Sequence, residues 1–209
     1  MVASSLSPVG LTRLELIMRL PLIVAALLAL PAAHAAEPEF TRICMNGETA
    51  GKGSCPSLPA KGSAASQWAC SQDMKTGLTW SINSLSGTWS EATSVLPAKA
   101  NANKQCGLSQ GWRAPTRQEL LSLHRKYREN DRSAGAFAII AKGRHPKPAI
   151  NLDYFPDTRS DWYWSSDTLD QDTSFVWYVY FAAGHHNQSN AYSGFKTSPH
   201  YVRLVNSGS

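Results

Sequence analysis

The sequence has no cysteine after Cys106 and, after Leu30, no apolar run approaching the ~20 residues that a membrane-spanning helix needs. No two of its four cysteines stand two to four residues apart, which removes the usual zinc frameworks. Six aspartates crowd the later chain (Asp153, Asp157, Asp161, Asp167, Asp170 and Asp172), yet none falls in the EF-hand spacing with its central Gly and terminal Glu. Loop solvation and turn formation account for them, so no metal and no cofactor are expected. Ser165 and Ser166 lack the strained Gly-x-Ser-x-Gly turn that exposes a serine nucleophile. His185-His186 lies in a polar stretch without a marked carboxylate partner. Catalysis is therefore not expected.

Residues 1–35 read as an export signal. Arg13 and Arg19 precede the apolar run Leu20 to Leu30, and Ala33-His34-Ala35 gives a small-x-small cleavage pattern, with the cut expected after Ala35. Met18-Arg19-Leu20 onward is a complete signal by itself. The compartments this implies are the periplasm, the cell surface or the exterior, all permissive for disulfides. Cys44, Cys55, Cys70 and Cys106 allow three connectivities, and sequence alone does not choose among them. The pairing Cys44–Cys55 with Cys70–Cys106 closes compact loops with the fewest crossings and is favoured on that ground.

From residue 36 onward there are 18 basic and 14 acidic residues, a balance of +4, and its distribution is uneven. Residues 117–147 carry eight basic and three acidic groups, whereas residues 148–209 carry three and six. Arg125, Lys126, Arg128, Lys142, Arg144 and Lys147, with Arg132, make the basic segment the candidate ligand-binding surface. Arginine offers a planar fork to sulfate, phosphate or carboxylate groups. Such binding is salt-sensitive, because exposed charges are screened over about 8 Å at physiological ionic strength. The plain alternative is a solvated face partly neutralised by Glu129 and Asp131. An exported protein rarely meets DNA and no reading helix is evident, so nucleic acid is not an expected partner.

Along the chain, residues 36–67 are rich in Gly, Ser, Ala, Pro and Lys and read as a loop-rich extension held by one bridge. The folded domain is expected over 68–206. Met74 to Trp80 reads as a turn into a strand with Leu78 and Trp80 on one face. Thr88 to Ala92 opens a short helix capped by Thr88 or Ser90, with Pro97 kinking or ending it. Thr116-x-x-Glu119 is a capping box that starts a second helix, from about Arg117 to Tyr127, with Pro115 keeping the entry extended and Trp112 anchoring it to a core. Leu120, Leu123, His124 and Tyr127 form its apolar side. Asp161 to Ser166 and Ser174 to Ala183 read as strands. In the second, Phe175, Trp177, Val179 and Phe181 alternate with Val176, Tyr178 and Tyr180, so both faces are apolar and the strand is central. His200 to Val205 is a terminal strand. Helices early and strands late indicate an α+β domain with one sheet. Trp80, Trp89, Trp112, Trp164 and Trp177 fall in patterned segments and are assigned to the core, leaving Trp162 and Tyr192 as the aromatics with a claim to exposure.

An ordered set of residues supports a family resemblance. Asp73-x-x-Thr76-Gly77-Leu78-x-Trp80 is followed by Trp89-x-x-Ala92 and by Trp112-Arg113-x-Pro115-Thr116-x-x-Glu119-Leu120. Ile150-Asn151, Tyr154-Phe155-Pro156, Tyr163-Trp164-Ser165-Ser166 and Val202-Arg203 complete the series. Over roughly 68–206 the chain resembles the bacterial Lcl C-terminal domain family, named for a collagen-like surface adhesin. The resemblance implies an exported C-type lectin-like α+β domain, two helices packed on a mainly antiparallel sheet, related in fold to formylglycine-generating enzymes. It also implies adhesin-like glycan or glycosaminoglycan binding, and with the basic segment the expected partner is an anionic glycan or an envelope or surface protein. Several features depart from the pattern. Ala114 stands where many members have Leu, and Leu204 where many have Cys. The Glu-Pro-Asn or Gln-Pro-Asp and Trp-Asn-Asp strings of calcium-dependent lectins are absent, and so is any collagen-like repeat. Two other roles compete with the binding module: a structural subunit of a surface appendage or envelope assembly, and a diverged enzyme of the formylglycine-generating type. The latter depends on a late cysteine pair that this chain lacks.

Overall fold

The computed structural model describes residues 39–124, 148–182 and 191–208. The export signal and the basic residues Arg125, Lys126, Arg128, Arg132, Lys142, Arg144 and Lys147 lie outside the described residues, as do Tyr127 and His185-His186. In chain order the first half contains β1 (Phe40–Cys44), β2 (Trp68–Asp73), β3 (Thr79–Ser81), β4 (Leu85–Gly87), a π-helical turn (Glu91–Val95) leading into α1 (Leu96–Ala102), and α2 (Arg117–Leu123). The second half adds β5 (Trp162–Leu169), β6 (Asp172–Tyr180), β7 (Ala191–Phe195), β8 (His200–Val202) and β9 (Val205–Asn206).

These strands form two sheets where one was expected. The first has the order β1-β2-β3-β9 and is antiparallel throughout. The second has the order β4-β8-β5-β6-β7 and is antiparallel except for β5 beside β8. The expected terminal strand is the reason. It is interrupted at Arg203-Leu204, so that β8 belongs to one sheet and β9 to the other. The loop-rich reading of 36–67 also needs correction over β1. Phe40 is fully buried, with its ring edge-on to Phe155 at 5.0 Å, and Cys44 is bonded to Cys55. Five residues are too few to display a period, so tertiary burial rather than local pattern makes this segment a strand.

The expected alternation along β6 is present in the packing. Trp177, Val179 and Phe181 face a core with Trp80, Leu120, Leu123, Phe155 and Tyr163. Val176 and Tyr178 face a second core with Ala92, Ala100, Trp112, Trp164 and the Cys70–Cys106 bridge. Helix α2 lies against β5 and β6 on the first face. It stops at Leu123, because His124 adopts an extended conformation (ψ 124°). Pro97 neither ends nor visibly breaks the first helix. It occupies the first turn of α1, and the preceding residues take the wider π register, with the Leu96 N–H bonding the Glu91 carbonyl. A proline cannot donate to the carbonyl four residues back, and the wider turn accommodates that loss.

Both bridges connect the early chain, Cys44 to Cys55 and Cys70 to Cys106. By loop entropy they contribute roughly 3 and 4 kcal/mol. The turn carrying Cys106 is left-handed at Lys104 (φ 47°) and Cys106 (φ 54°). It meets the Cys44–Cys55 loop through two glycines. A Cβ on Gly107 would come within 2.9 Å of the Asn46 carbonyl and of the Gly47 Cα. Only glycine permits that approach at a positive φ.

Arg203 sits where the chain passes between the sheets and is fully buried. Its Nη1 donates to the Ser81 and Ile82 carbonyls (2.6 and 2.8 Å), and its Nη2 donates to the hydroxyls of Thr158 (2.8 Å) and Ser84 (3.2 Å). The guanidinium also lies over the Phe155 and Tyr163 rings at 5.0 and 5.9 Å. No carboxylate among the described residues forms an ion pair with it. Burial pulls its pKa down, while the Tyr163 hydroxyl and the Asp157 carboxylate push it back up; an arginine nonetheless remains charged. Removing the group strands two buried carbonyls, each of which costs about 1–3 kcal/mol when left unpaired, while the two hydroxyls keep their bonds to Tyr163 and to the Phe155 carbonyl. Arg203→Ala is therefore expected to lower unfolding free energy by about 3–5 kcal/mol. Urea denaturation checks this, and a loss under about 1 kcal/mol would show that the guanidinium does not hold the sheets together.

Candidate functional site

The motif residues Trp112, Arg113, Pro115, Thr116 and Glu119 build the junction between α2 and the second sheet. Thr116 caps the helix. Its Oγ1 accepts from the Glu119 N–H (3.2 Å), and the Glu119 carboxylate accepts from the Thr116 N–H (2.7 Å). Arg113 adds a bidentate pair, with Nη1 and Nη2 donating to the two Glu119 oxygens at 2.7 and 2.6 Å. Trp112 is buried and donates its indole N–H to the Gln105 carbonyl. The Pro115 carbonyl accepts from the Ser166 N–H (2.7 Å), and the Arg117 N–H reaches Asp167 (2.7 Å), so the cap is fastened to the middle of β5. Trp164, also buried, donates its indole N–H to the Gly87 carbonyl (3.0 Å). These residues carry the architecture. Gly107-Leu108-Ser109-Gln110-Gly111 spells the nucleophile-elbow pattern, but it follows a 3-10 turn and leads to Trp112, not from strand into helix.

Two surfaces stand out among the described residues. The first is an aromatic platform on the second-core face of the five-stranded sheet, at the N-terminal end of β5. Trp162 pairs across the strands with Tyr180, the rings 4.3 Å apart, and Tyr178 pairs with Tyr192. Tyr178 and Tyr192 both stand near-perpendicular to the indole at 4.9 Å and lie parallel to each other within 17°. All four rings are half-buried. Tyr178 lies over Gly194, where a Cβ would come within 2.7 Å of its ring, so the glycine on β7 admits the tyrosine. His200 closes one side, 4.4 Å from Trp164 and 5.1 Å from Tyr178. Burial pushes its pKa below the usual histidine range and Asp161 partly opposes that, so at neutral pH the platform presents an uncharged imidazole. Trp162 and Tyr192 thus share one surface, whereas Trp80, Trp112 and Trp164 are core.

The second surface is a polar groove of about 550 Å³ between Asn83–Leu85 and Pro156–Arg159. Asn83 and Arg159 are exposed on its lips. Asp157 is held in an ion pair with Lys61. Two more of the six aspartates serve turns and strands, Asp167 through Arg117 and Asp172 through the Ser174 N–H. Among the described residues no group of three or more His, Cys, Asp or Glu could hold a metal ion, and no helix is long and apolar enough to cross a membrane. The groove lining shares only Pro156 with the ordered series of motifs, in Tyr154-Phe155-Pro156. A lone arginine inside the apolar string Tyr201-Val202-Arg203-Leu204-Val205 was the one available signal for the charge beneath it.

Comparison with known families gives a match to the model of the Lcl C-terminal domain over residues 69–206. No curated protein and no solved structure matches the chain.

Burial raises the pKa of Glu119, but the hydrogen bonds from Arg113 and Thr116 outweigh it and hold the carboxyl below its ordinary 4.5. Its contribution to stability is accordingly complete above that value and is lost as the pH falls through the lower, folded-state value. At pH 7, Glu119→Gln is expected to cost about 1–2 kcal/mol, discounted for the half-exposed Arg113. The difference from wild type is expected to shrink as the pH falls below 4.5 and the folded-state carboxyl takes up its proton. Urea denaturation of both proteins across that range measures it, and a pH-independent gap would refute the assignment.

Proposed function

This chain belongs to the Lcl C-terminal domain family, and on that premise we propose that it is an exported, non-catalytic binding module with a C-type lectin-like fold. Its ligand is an anionic glycan on a surface. The observation that carries the reading is the platform around Trp162, where four large half-buried rings gather face and edge at one end of the five-stranded sheet. Indole and phenol rings offer sugars an apolar face with hydroxyls at the rim. The basic segment supplies charge for sulfate or carboxylate groups, with Lys142, Arg144 and Lys147 the cations chosen for test. Two disulfides support an oxidising destination outside the cytoplasm.

A heparin-like polymer is expected to bind the full chain at low salt, with affinity falling steeply as salt rises. Changing Lys142, Arg144 and Lys147 together to Ala is expected to abolish that binding. Trp162→Ala is expected to weaken it about tenfold, as loss of one stacking partner worth 1–1.5 kcal/mol implies. Calorimetry at two salt concentrations reads both effects. No binding by the wild-type protein at low salt would sink the glycan reading, and a co-purifying envelope protein would favour an assembly role.

A further inference from the structure

The hydrogen-bond accounting around Arg203 leaves a surplus of donors, and the surplus faces the groove. Ser84 Oγ accepts from Arg203 Nη2, and the Tyr163 hydroxyl accepts from the Arg159 N–H at 2.8 Å. The two hydroxyls then share one bond of 2.6 Å. Two protons serve that single bond, so one of them has no acceptor among the described residues. Tyr163 is fully buried while Ser84 lines the groove. A buried donor left unmade costs far more than one reaching an open surface, so Tyr163 donates to Ser84 and the Ser84 proton points outward. Thr158 repeats half of the pattern. It accepts from Arg203 and passes its own proton to the Phe155 carbonyl.

Charge points the same way. Arg203 lies one hydrogen bond beneath Ser84 and Thr158, both of which line the groove, and it has no ion-pair partner among the described residues. Arg159 stands exposed on the lip, and Lys61 offsets the one carboxylate in the lining, that of Asp157. An unpaired buried cation is costly, and its field is felt where low-dielectric walls open to solvent.

We propose that the groove between Asn83–Leu85 and Pro156–Arg159 is an anion subsite that takes the acid group, carboxylate or sulfate ester, of a single sugar unit. This deepens the glycan reading and rests on it. Arg159 pairs with the acid group, the Ser84 hydroxyl donates to it, and Arg203 stabilises it through Ser84 and Thr158 without touching it. The cavity has room for one pyranose ring. Asn83 on the opposite lip offers an amide to the ring hydroxyls.

Amide NMR titration of the full chain with sodium glucuronate, glucose 6-sulfate and glucose tests this without any polymer. The two acid sugars are expected to shift the Ser84, Thr158 and Arg159 amides saturably, and glucose is expected to leave them unmoved. A response to only one acid sugar identifies the group as carboxylate or as sulfate ester. Arg159→Ala, at an exposed position, is expected to weaken the response about tenfold, the value of one charge-assisted hydrogen bond. Asp157→Asn removes the opposing charge and is expected to tighten it. Equal shifts with glucose, or weaker binding by Asp157→Asn, would overturn the proposal. Unmoved groove amides in a protein that still binds heparin-like polymer would reject this subsite and leave the broader reading standing. Groove shifts in a protein that ignores the polymer would reject the broader reading instead.

Discussion

A single guanidinium decides how the second half of this chain meets the first. The last strand region must serve two sheets, and at the crossing the backbone turns from β8 into β9 with Arg203 directed inward. Ser81 ends β3 and Ile82 follows it, where the chain leaves the first sheet, and the Ser84 hydroxyl precedes β4 in the second. The two carbonyls are buried at this corner, and buried carbonyls need donors. Arginine alone among side chains presents five N–H groups in a rigid fork, enough to reach several acceptors at once. Stacking on Phe155 and Tyr163 covers the faces of the fork. The corner near Ser84 and the loop before β5 are tied together by the two Nη groups, while the buried Nε finds no partner among the described residues.

Because the corner is fixed, the five-stranded sheet can be apolar on both faces without collapsing into an ambiguous register. One face is covered by α2 and the first sheet, the other by α1 and the Cys70–Cys106 turn. Cover on the second face thins toward the start of β5, and there the side chains change from Trp164 and Val176, fully buried, to Trp162, Tyr180 and Tyr192, half-buried. Rings with polar rims tolerate that boundary, whereas aliphatic side chains would only lose burial there. The platform is thus a consequence of where the helical layer stops.

Much of this was legible in the residues, and the failures have physical causes. The capping box at Thr116 and Glu119 is a local device, fixed by four adjacent residues, and it stands as read. The alternation of β6 was also readable, since a strand covered on both faces shows two interleaved apolar sets. The division of His200 to Val205 between two sheets was not, because nothing in Tyr-Val-Arg-Leu-Val tells a continuous strand from one broken at a buried charge. Strand β1 was hidden for the opposite reason. Its neighbours in sequence are turn formers, and its strand state comes from Phe155 and β2, far along the chain. Helix α2 ends earlier than its apolar spacing suggests. His124 keeps its place in the core by extending, and buried contact rather than helical phase determines its backbone. The groove could not be read at all, since its lips come from two loops more than seventy residues apart.

The platform and the groove are linked through consecutive residues. Trp162 and Tyr163 begin β5 and point to opposite faces, one into the aromatic cluster and the other under the groove, where its hydroxyl holds the Arg159 N–H. A strand residue cannot rotate without carrying its neighbour, so the position of the platform and the shape of the groove are set together by the register of β5 against β6. That register is pinned at Trp162–Tyr180 and Trp164–Tyr178 before the ladder becomes irregular toward Thr168. Substitutions that disturb this pairing, even far from either surface, should therefore affect both. Changes on the irregular half of β5, near the Leu169–Asp172 turn, should affect neither.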